Sequence, residues 1–267
     1  MNVYVKLEGG LGNNLFRIAT AHAYCLKNNK KLLCDVSDKQ SSHGRFSDFY
    51  ENIFRKLNLV DNTPNIIEYK HDGFEFSDIP NIPHDLKLNG LFQNEKYFVN
   101  YRDEILNLFE IDDDSLNFIN DNYGNLLNED TCSLHVRRGD YLFVSNILPV
   151  LDVDYYKKSV DEMGNDKLYV ICSNDINWCK HNLGFIKNKI FVTNQPHIDL
   201  YLMSMCKNNI IGNSSFSWWS AWLNKNDNKK VIGPEIWFGP GINEWLLNNF
   251  NTRTLVNEII PLTWQKI

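Results

Sequence analysis

Short β-prone runs alternate with helical patterns from residue 131 onward, and this alternation constrains the fold more than any other feature of the chain. The strand-like runs lie at residues 132–136, 168–172, 190–192, 209–211 and 230–232. The helical patterns lie between them, at residues 154–163, 175–182, 198–205 and 216–223. Regular strand–helix alternation predicts an α/β domain built on a parallel sheet.

The start of the chain predicts a second unit of the same kind. Residues 3–7 form a β-prone run, a Gly-rich turn follows, and apolar residues then recur at helical spacing before another β-prone run at 32–36. Asn13 or Asn14 is placed to cap that helix. A βαβ unit results, and a parallel sheet is expected here as well.

The middle of the chain alternates less cleanly. Residues 49–59 and 101–109 could form helices, whereas the turn-rich run at 120–125 predicts a boundary or hinge. We therefore expect two domains, at residues 1–128 and 129–267.

Composition excludes several classes of protein. Of the 267 residues, 43% are hydrophobic and 13% aromatic, too many for a disordered chain. A net charge of −6 argues against broad binding to nucleic acid or anionic membranes. No run approaches the roughly 18 apolar residues of a membrane span. The six cysteines lack zinc-binding spacing, which predicts buried free thiols and a reduced, cytoplasmic location.

Polar residues cluster directly after three predicted strands of the second half. The clusters are 135–141, 173–175 and 212–217. Ligands of open parallel sheets bind outside the carboxyl ends of the strands, so the three clusters are expected to converge on one site.

The adjacent arginines Arg137 and Arg138 are the strongest element of that site. Arginine presents a planar fork suited to phosphate, although an ordinary surface ion pair is the alternative. Residues 213–217 add hydroxyls and backbone N–H groups at a helix start, which can bind an anion or simply cap the helix. Trp218, Trp219 and Trp222 are interpreted as packing on a helix face.

Other segments resemble known ligand-binding motifs, but they lack required residues or have a structural explanation. The loop at 9–13 lacks the third glycine of a dinucleotide fingerprint, because position 15 is Leu, and it has no Walker lysine. The acidic runs at 112–114 and 152–154 flank helical patterns, where acidic residues serve as caps. We therefore expect neither a Rossmann oxidoreductase nor a metal site.

Four segments together resemble the α-1,2-fucosyltransferases of glycosyltransferase family 11, in the same order along nearly the whole chain. They are the loop at 9–13, the block at 90–98, the HxRRxD run at 135–140 and the run Asn-Ser-Ser-Phe-Ser-Trp-Trp at 213–219. The resemblance implies a metal-independent, inverting transferase of GT-B architecture, with two facing Rossmann-like domains and no cofactor besides its donor substrate, GDP-fucose. Residues 1–128 would form the acceptor side and residues 129–267 the GDP-fucose side.

The resemblance also implies site residues. Arg137 and Arg138 would neutralise the pyrophosphate as catalytic residues. An inverting displacement also needs a general base. Asp140 is the nearest candidate, or it only orients an arginine, and Glu95 and His135 are the other choices. The expected donor contacts from the second domain are His135, Ser173, Asn174, Asp175, Asn213, Ser214, Ser215, Phe216 and Ser217. Gly10, Gly12 and Asn13 of the first domain would close over the donor. Asn14 and Asn174 depart from the family's usual Gln and Asp.

The expected reaction moves L-fucose from GDP-fucose to O2 of a terminal β-galactoside in a glycan. A fucosyltransferase with another linkage or acceptor, and a GDP-sugar-binding module without turnover, are the alternatives. Acceptor specificity is expected in the loops at 37–89 and 141–152. A lipid-linked acceptor would be compatible with peripheral contact with the inner membrane face.

Overall fold

The computed structural model describes residues 1–38, 40–41, 44–246 and 251–267. The chain forms two compact units, Met1–Asp112 and Asp113–Ile267. Each unit contains a parallel sheet with helices, which confirms the predicted α/β class.

The first unit has a five-stranded parallel sheet in the order β5-β2-β1-β7-β6. The strands are β1 (Asn2–Lys6), β2 (Lys31–Asp35), β5 (Leu59–Val60), β6 (Ile67–His71) and β7 (Leu86–Gly90), and a separate antiparallel pair consists of β3 (Gln40–Ser41) and β4 (Gly44–Arg45). The helices are α1 (Leu11–Asn28) and α2 (Arg102–Leu108), with 3-10 turns at Phe46–Phe49, Glu95–Tyr97 and Val99–Tyr101.

The predicted βαβ unit at the start of the chain is confirmed, but its helix begins earlier than expected. Gly10 is the N-cap of α1, so Asn13 and Asn14 lie in the first turn. Asn14 is buried; its Oδ1 accepts from the Glu8 N–H at 3.0 Å and its Nδ2 donates to the Gly10 carbonyl at 3.0 Å. Asn14 therefore holds the Gly-rich loop instead of capping the helix.

The second unit has a six-stranded parallel sheet in the order β10-β9-β8-β11-β12-β13. The strands are β8 (Thr131–Val136), β9 (Leu168–Ser173), β10 (Lys189–Val192), β11 (Asn208–Ile210), β12 (Val231–Gly233) and β13 (Gln265–Lys266). The helices are α3 (Asp113–Leu127), α4 (Val153–Met163), α5 (Ile176–Asn182), α6 (Pro196–Met205), α7 (Ser215–Leu223), α8 (Ile242–Leu246) and α9 (Thr252–Ile259), with a 3-10 turn at Gly139–Phe143. Every residue of β8 and β9 is buried, as a strand covered on both faces requires.

Two expectations for the middle of the chain are wrong. The run 120–125 lies inside α3, so the units divide at residue 112 instead of 128. The helix is held to the second unit because Ile119 is buried and the Tyr123 hydroxyl donates to Asn194 Oδ1 at 3.0 Å. Residues 49–59 form successive turns leading into β5 instead of a helix, whereas the helix expected at 101–109 is present as α2.

The core confirms the packing expectations. All six cysteines are buried and free. Trp218, Trp219 and Trp222 are buried and contact one another, with ring centroids 5.2 to 6.3 Å apart. Within the described ranges, no helix has the length and apolar character needed to cross a membrane.

Candidate functional site

The three predicted polar clusters lie at one edge of the second sheet. They follow β8, β9 and β11, which are neighbours because β8 pairs in parallel with both of the others. His135 is in register with Cys172, and Val136 with Ser173. Parallel pairing places the carboxyl ends of the three strands side by side, and this is where open α/β sheets bind ligands.

Arg138 is held by the segment after β9. Its Nε donates to Asp175 Oδ2 at 3.2 Å, and its guanidinium carbon lies 4.3 Å from the centroid of the Trp178 ring. Its backbone N–H donates to Asn174 Oδ1 at 2.9 Å. Asp175 also caps α5 by accepting from the Trp178 N–H at 3.1 Å. A carboxylate, an aromatic face and an amide therefore fix the position of this one cation.

Arg137 is held locally, by the turn that follows it. Its NH2 atom lies 2.8 Å from each carboxylate oxygen of Asp140. Its guanidinium carbon lies 5.0 Å from the centroid of the Tyr141 ring. The Tyr141 hydroxyl donates to the Asn213 carbonyl at 3.1 Å, which links this turn to the segment after β11. Burial raises the pKa of Tyr141 to about 12, so the hydroxyl keeps its proton.

His135 is buried in β8, one residue before the strand ends. Burial, followed by the positive charge of Arg137, lowers its pKa to about 3, so the ring is neutral at physiological pH. The ring packs on Phe216 with centroids 5.6 Å apart. Among the described residues, its Nδ1 atom has no hydrogen-bond partner.

The segment after β11 divides into supporting and accessible residues. Asn213 is buried, and its Nδ2 donates to the carbonyls of Pro149 at 2.8 Å and Trp237 at 3.2 Å. Ser217 is also buried, and its hydroxyl donates to the carbonyls of Ser214 and Gly212. Ser214 is the N-cap of α7 and is almost fully buried, whereas Ser215 and Phe216 are half-buried. The first turn of α7 therefore presents its backbone N–H groups at this edge.

Ser173 secures the neighbouring loop. It is buried at the end of β9, and its Oγ accepts from the Asp175 N–H at 2.9 Å. This bond shapes the turn that brings Asn174 and Asp175 to the arginines.

The Gly-rich loop belongs to the first unit, at the carboxyl edge of its own sheet. Gly10 precedes α1, Gly12 lies in its first turn, and Asn13 Oδ1 accepts from Gln93 Nε2 at 2.9 Å. Arg17 donates to the carbonyls of Glu8 at 2.7 Å and Gly90 at 3.1 Å. The loop is therefore tied to the segment after β7.

The acidic runs have the capping roles expected of them. Asp152 is the N-cap of α4 and accepts from the Tyr155 N–H at 2.9 Å, and Asp113 and Asp114 lie in the first turn of α3. No group of three His, Cys, Asp or Glu side chains in the described part of the chain is arranged to hold a metal ion.

Trp178 is absent from the residues expected from the sequence, and Tyr141 lies in the expected cluster 135–141 but was given no role there. Both lie under a guanidinium group. The sequence carries one signal for Trp178: it stands three residues after Asp175, in the first turn of a helix that starts at the site. Residues three apart lie on the same face of a helix, so the Trp178 ring is on the same face as the N-cap residue Asp175.

Comparison with known proteins agrees with the geometry. WbnK of Escherichia coli, an O-antigen biosynthesis glycosyltransferase, is 39% identical over an alignment of 161 positions that covers 55% of this chain and 53% of WbnK. This match spans about half the length of that relative. An alpha-1,2-colitosyltransferase of Escherichia coli is 28% identical over 284 residues, covering 88% of this chain and 92% of that protein.

A solved structure supports the fold. NodZ, an alpha-1,6-fucosyltransferase from Bradyrhizobium co-crystallized with GDP, superposes with a TM-score of 0.57 at 13% identity, over 82% of this chain and 91% of that one. This likeness confirms the expected GT-B-like fold. The model of Glycosyl transferase family 11 matches residues 51–237, which include both arginines and the whole segment from Asn213 to Ser217. Because that match spans well over half of the chain, the protein belongs to glycosyl transferase family 11.

Proposed function

We propose that the chain transfers L-fucose from GDP-β-L-fucose to O2 of a terminal β-galactoside in a glycan, with inversion and without a metal ion. One observation carries this proposal. Two consecutive arginines, each held by its own carboxylate, follow β8 at the sheet edge where its neighbours β9 and β11 also end, and the first turn of α7 follows β11. A site of this kind suits a pyrophosphate, which has two bridged anionic groups.

The chemistry of the donor explains why the arginines are fixed. When the bond between the sugar and the β-phosphate breaks, negative charge develops on the leaving oxygen. Donors that are already in place stabilise this charge without reorganising during the reaction. Arg138 is held by Asp175 and Trp178, and Arg137 by Asp140, so neither guanidinium has to be ordered when the charge appears.

Asp140 acts in this proposal on Arg137 and not on the acceptor hydroxyl. Both of its oxygens lie 2.8 Å from the guanidinium NH2. A carboxylate that contacts one guanidinium with both oxygens fixes the orientation of that guanidinium. Asp140 is therefore a positioning residue.

The nucleoside end of the donor would lie toward β9. Asn174 and Asp175 bind protein groups, yet each carboxylate oxygen has two lone pairs, so Asp175 can still accept from a guanine N–H. On the opposite side, after β11, the half-buried Phe216 adds an aromatic surface, and its ring packs on the buried His135. The roles of Gly10, Gly12 and Asn13 toward the donor stay predictions.

The relatives supply a second candidate donor. The colitosyltransferase aligns over 88% of this chain, and colitose is fucose without its 3-hydroxyl group. A GDP-colitose donor would use the same pyrophosphate site. The difference between the two donors would be read by groups around the sugar ring, so both must be tested.

The test is GDP release with lactose or N-acetyllactosamine as acceptor and EDTA present. GDP-fucose and GDP-colitose are compared with GDP-mannose and UDP-galactose. We expect acceptor-dependent release from GDP-fucose, and linkage analysis of the product should show an α-1,2 bond to galactose. Another bond would support a different linkage on the same fold.

Three outcomes would contradict the proposal. Release from GDP-colitose alone would assign the donor to the second candidate. GDP binding without turnover of any donor, across a panel of β-galactoside and β-hexosaminide acceptors, would favour a binding module. Absence of GDP binding would remove the pyrophosphate site itself.

A further inference from the structure

A concavity of about 500 Å³ opens in the second unit beside the turn that carries Asp140. One wall is the segment 143–147 and the other is the segment 241–245. The side chain of Phe143 is 89% exposed and that of Trp245 is 58% exposed. A folded domain seldom leaves two large rings open to water at one place unless something binds there.

The two walls are tied to each other at their base. The Gly239 N–H donates to the Ile147 carbonyl at 2.9 Å, and the Gly241 N–H donates to the Asn146 carbonyl at 3.0 Å. A β-carbon at either glycine would clash with Asn146. This close approach of two backbones, which only glycine permits, gives the concavity a defined floor.

The same walls are tied to the pyrophosphate site. Asn213 Nδ2 donates to the carbonyl of Pro149, two residues after one wall, and to that of Trp237, four residues before the other. The Asn213 carbonyl accepts from Tyr141, whose ring lies against Arg137. In addition, Phe143 ends the 3-10 turn that contains Asp140, three residues earlier. An occupant of the concavity would therefore lie next to the groups that hold the donor.

The lining chemistry favours an uncharged, hydroxyl-rich ligand. Aromatic faces with a few polar groups form the usual lining of small-ligand sites, and Ser145, Asn146 and Glu244 supply the polar groups here. The carboxylate of Glu244 accepts hydrogen bonds from hydroxyls but repels phosphate and anionic lipid. The net charge of −6 opposes an anionic surface as well.

We infer that this concavity binds a sugar unit of the acceptor glycan, with Phe143 and Trp245 against the ring and Glu244 on its hydroxyls. The inference rests on the proposed transferase function. It places acceptor recognition in the second unit, within the loop region 141–152, and not only on the side of residues 1–128. Phe143, Glu244 and Trp245 then determine acceptor specificity without taking part in the chemistry.

The experiment separates acceptor binding from donor chemistry. For Phe143→Ala and Trp245→Ala, transfer from GDP-fucose is measured over a range of N-acetyllactosamine, beside GDP affinity and slow GDP release without acceptor. We expect the acceptor KM to rise by about tenfold or more, corresponding to about 1.4 kcal/mol of lost binding. GDP affinity and acceptor-free release should stay unchanged, and Trp245→Phe, which keeps an aromatic face, should restore most of the acceptor affinity.

Leu262→Ala is the matched control, because Leu262 is 83% exposed in the same unit and lies outside the concavity. It should leave the acceptor KM unchanged. An unchanged KM in the Phe143 and Trp245 variants, with normal wild-type transfer, would overturn the inference and leave the proposed function intact. Absence of transfer by the wild type would instead contradict the function on which the inference rests.

Two other occupants are distinguished by separate measurements. Sedimentation of the wild type, but not of Phe143→Ala, with phosphatidylglycerol–phosphatidylethanolamine vesicles would assign the rings to a membrane surface. A wild-type dimer that dissociates in Trp245→Ala, seen by analytical ultracentrifugation, would assign them to a second copy of the chain. Either result together with an unchanged acceptor KM overturns the inference.

Discussion

A β-carbon added to Gly139 would lie 2.5 Å from the Nδ2 atom of Asn174. Asn174 can approach so closely because the position has no side chain, and from there its Oδ1 accepts the Arg138 N–H. Gly139 also has φ = +52°, a conformation that other residues adopt at a cost. One glycine therefore allows the loop after β9 to hold the arginine after β8.

Gly139→Ala should lower both stability and activity. The positive φ alone costs about 1–2 kcal/mol, and the clash displaces Asn174. Misplacing Arg138 by about 1 Å can cost on the order of 100-fold in turnover. Urea unfolding and kcat measure the two effects. Gly124→Ala is the control, because a β-carbon added to Gly124 in α3 has no neighbouring atom within 4 Å, and the change should be neutral or slightly stabilising. A Gly139→Ala variant with the stability and activity of Gly124→Ala would contradict the argument.

Arg138→Ala should lower kcat by about 10²–10³-fold, because removing one prealigned donor from a developing anion has that effect. Arg138→Lys should recover little, since an ammonium group keeps the charge but not the fork that reaches Asp175 while lying on Trp178. The exposed Arg253→Ala is the charge-matched control. Near-normal turnover of Arg138→Ala would remove this residue from the mechanism.

Asp140→Asn should retain more activity than Asp140→Ala. The amide oxygen of asparagine can still accept from Arg137, whereas alanine leaves the guanidinium without this partner. The pH dependence of kcat separates positioning from proton transfer. A positioning role leaves the profile of Asp140→Asn unchanged, but equal, complete losses in both variants would identify Asp140 as the general base.

The repeating parts of the fold were predictable from local sequence. The strands and helices expected after residue 131 lie within about two residues of their expected positions, because buried strands and amphipathic helices leave a periodic signal. Helices α8 and α9 and strand β13 were not predicted. The full extent of α3 was missed, because Asn, Asp and Gly in the run 120–125 predict turns. Its helical state depends on tertiary contacts, such as the burial of Ile119 and the bond from Tyr123 to Asn194.

The grouping of the candidate site residues at one edge of the sheet was predictable, but their individual partners were not. Strand ends identify Arg137 and Arg138, since polar residues after buried strands lie at one edge of the sheet. Which residue holds which arginine depends on the turns, and neither Trp178 nor Tyr141 has a chemical signature of its own. Asn213 and Ser217 were expected to contact the ligand with their side chains. Both side chains are buried and donate to backbone carbonyls, so they stabilise the loop.

His135 should make stability depend on pH. Its pKa is lowered from the ordinary 6.5 to about 3, so the unfolded chain binds its proton more readily than the folded one. The stability that the fold keeps by burying a neutral His135 is fully present above pH 6.5 and is lost as the pH falls toward 3. Between pH 7 and pH 5 this residue alone should lower the free energy of unfolding by about 2 kcal/mol. Urea unfolding at both pH values, compared with His135→Gln, measures the difference; equal pH dependence in the two proteins would contradict it.

EDTA should leave the transfer rate unchanged. Metal ions in nucleotide-sugar sites neutralise a pyrophosphate, and here two fixed arginines and the first turn of α7 can supply that positive potential. The acidic pairs that could resemble metal ligands have other partners: Asp152 caps α4, and Asp154 lies 4.0 Å from Lys157. Initial rates with excess EDTA, then with added Mg²⁺ or Mn²⁺, measure this directly. A rate that falls with EDTA and returns with either ion would mean that the arginines alone do not neutralise the pyrophosphate. Asp152→Asn and Asp154→Asn would then show whether these carboxylates bind the metal ion.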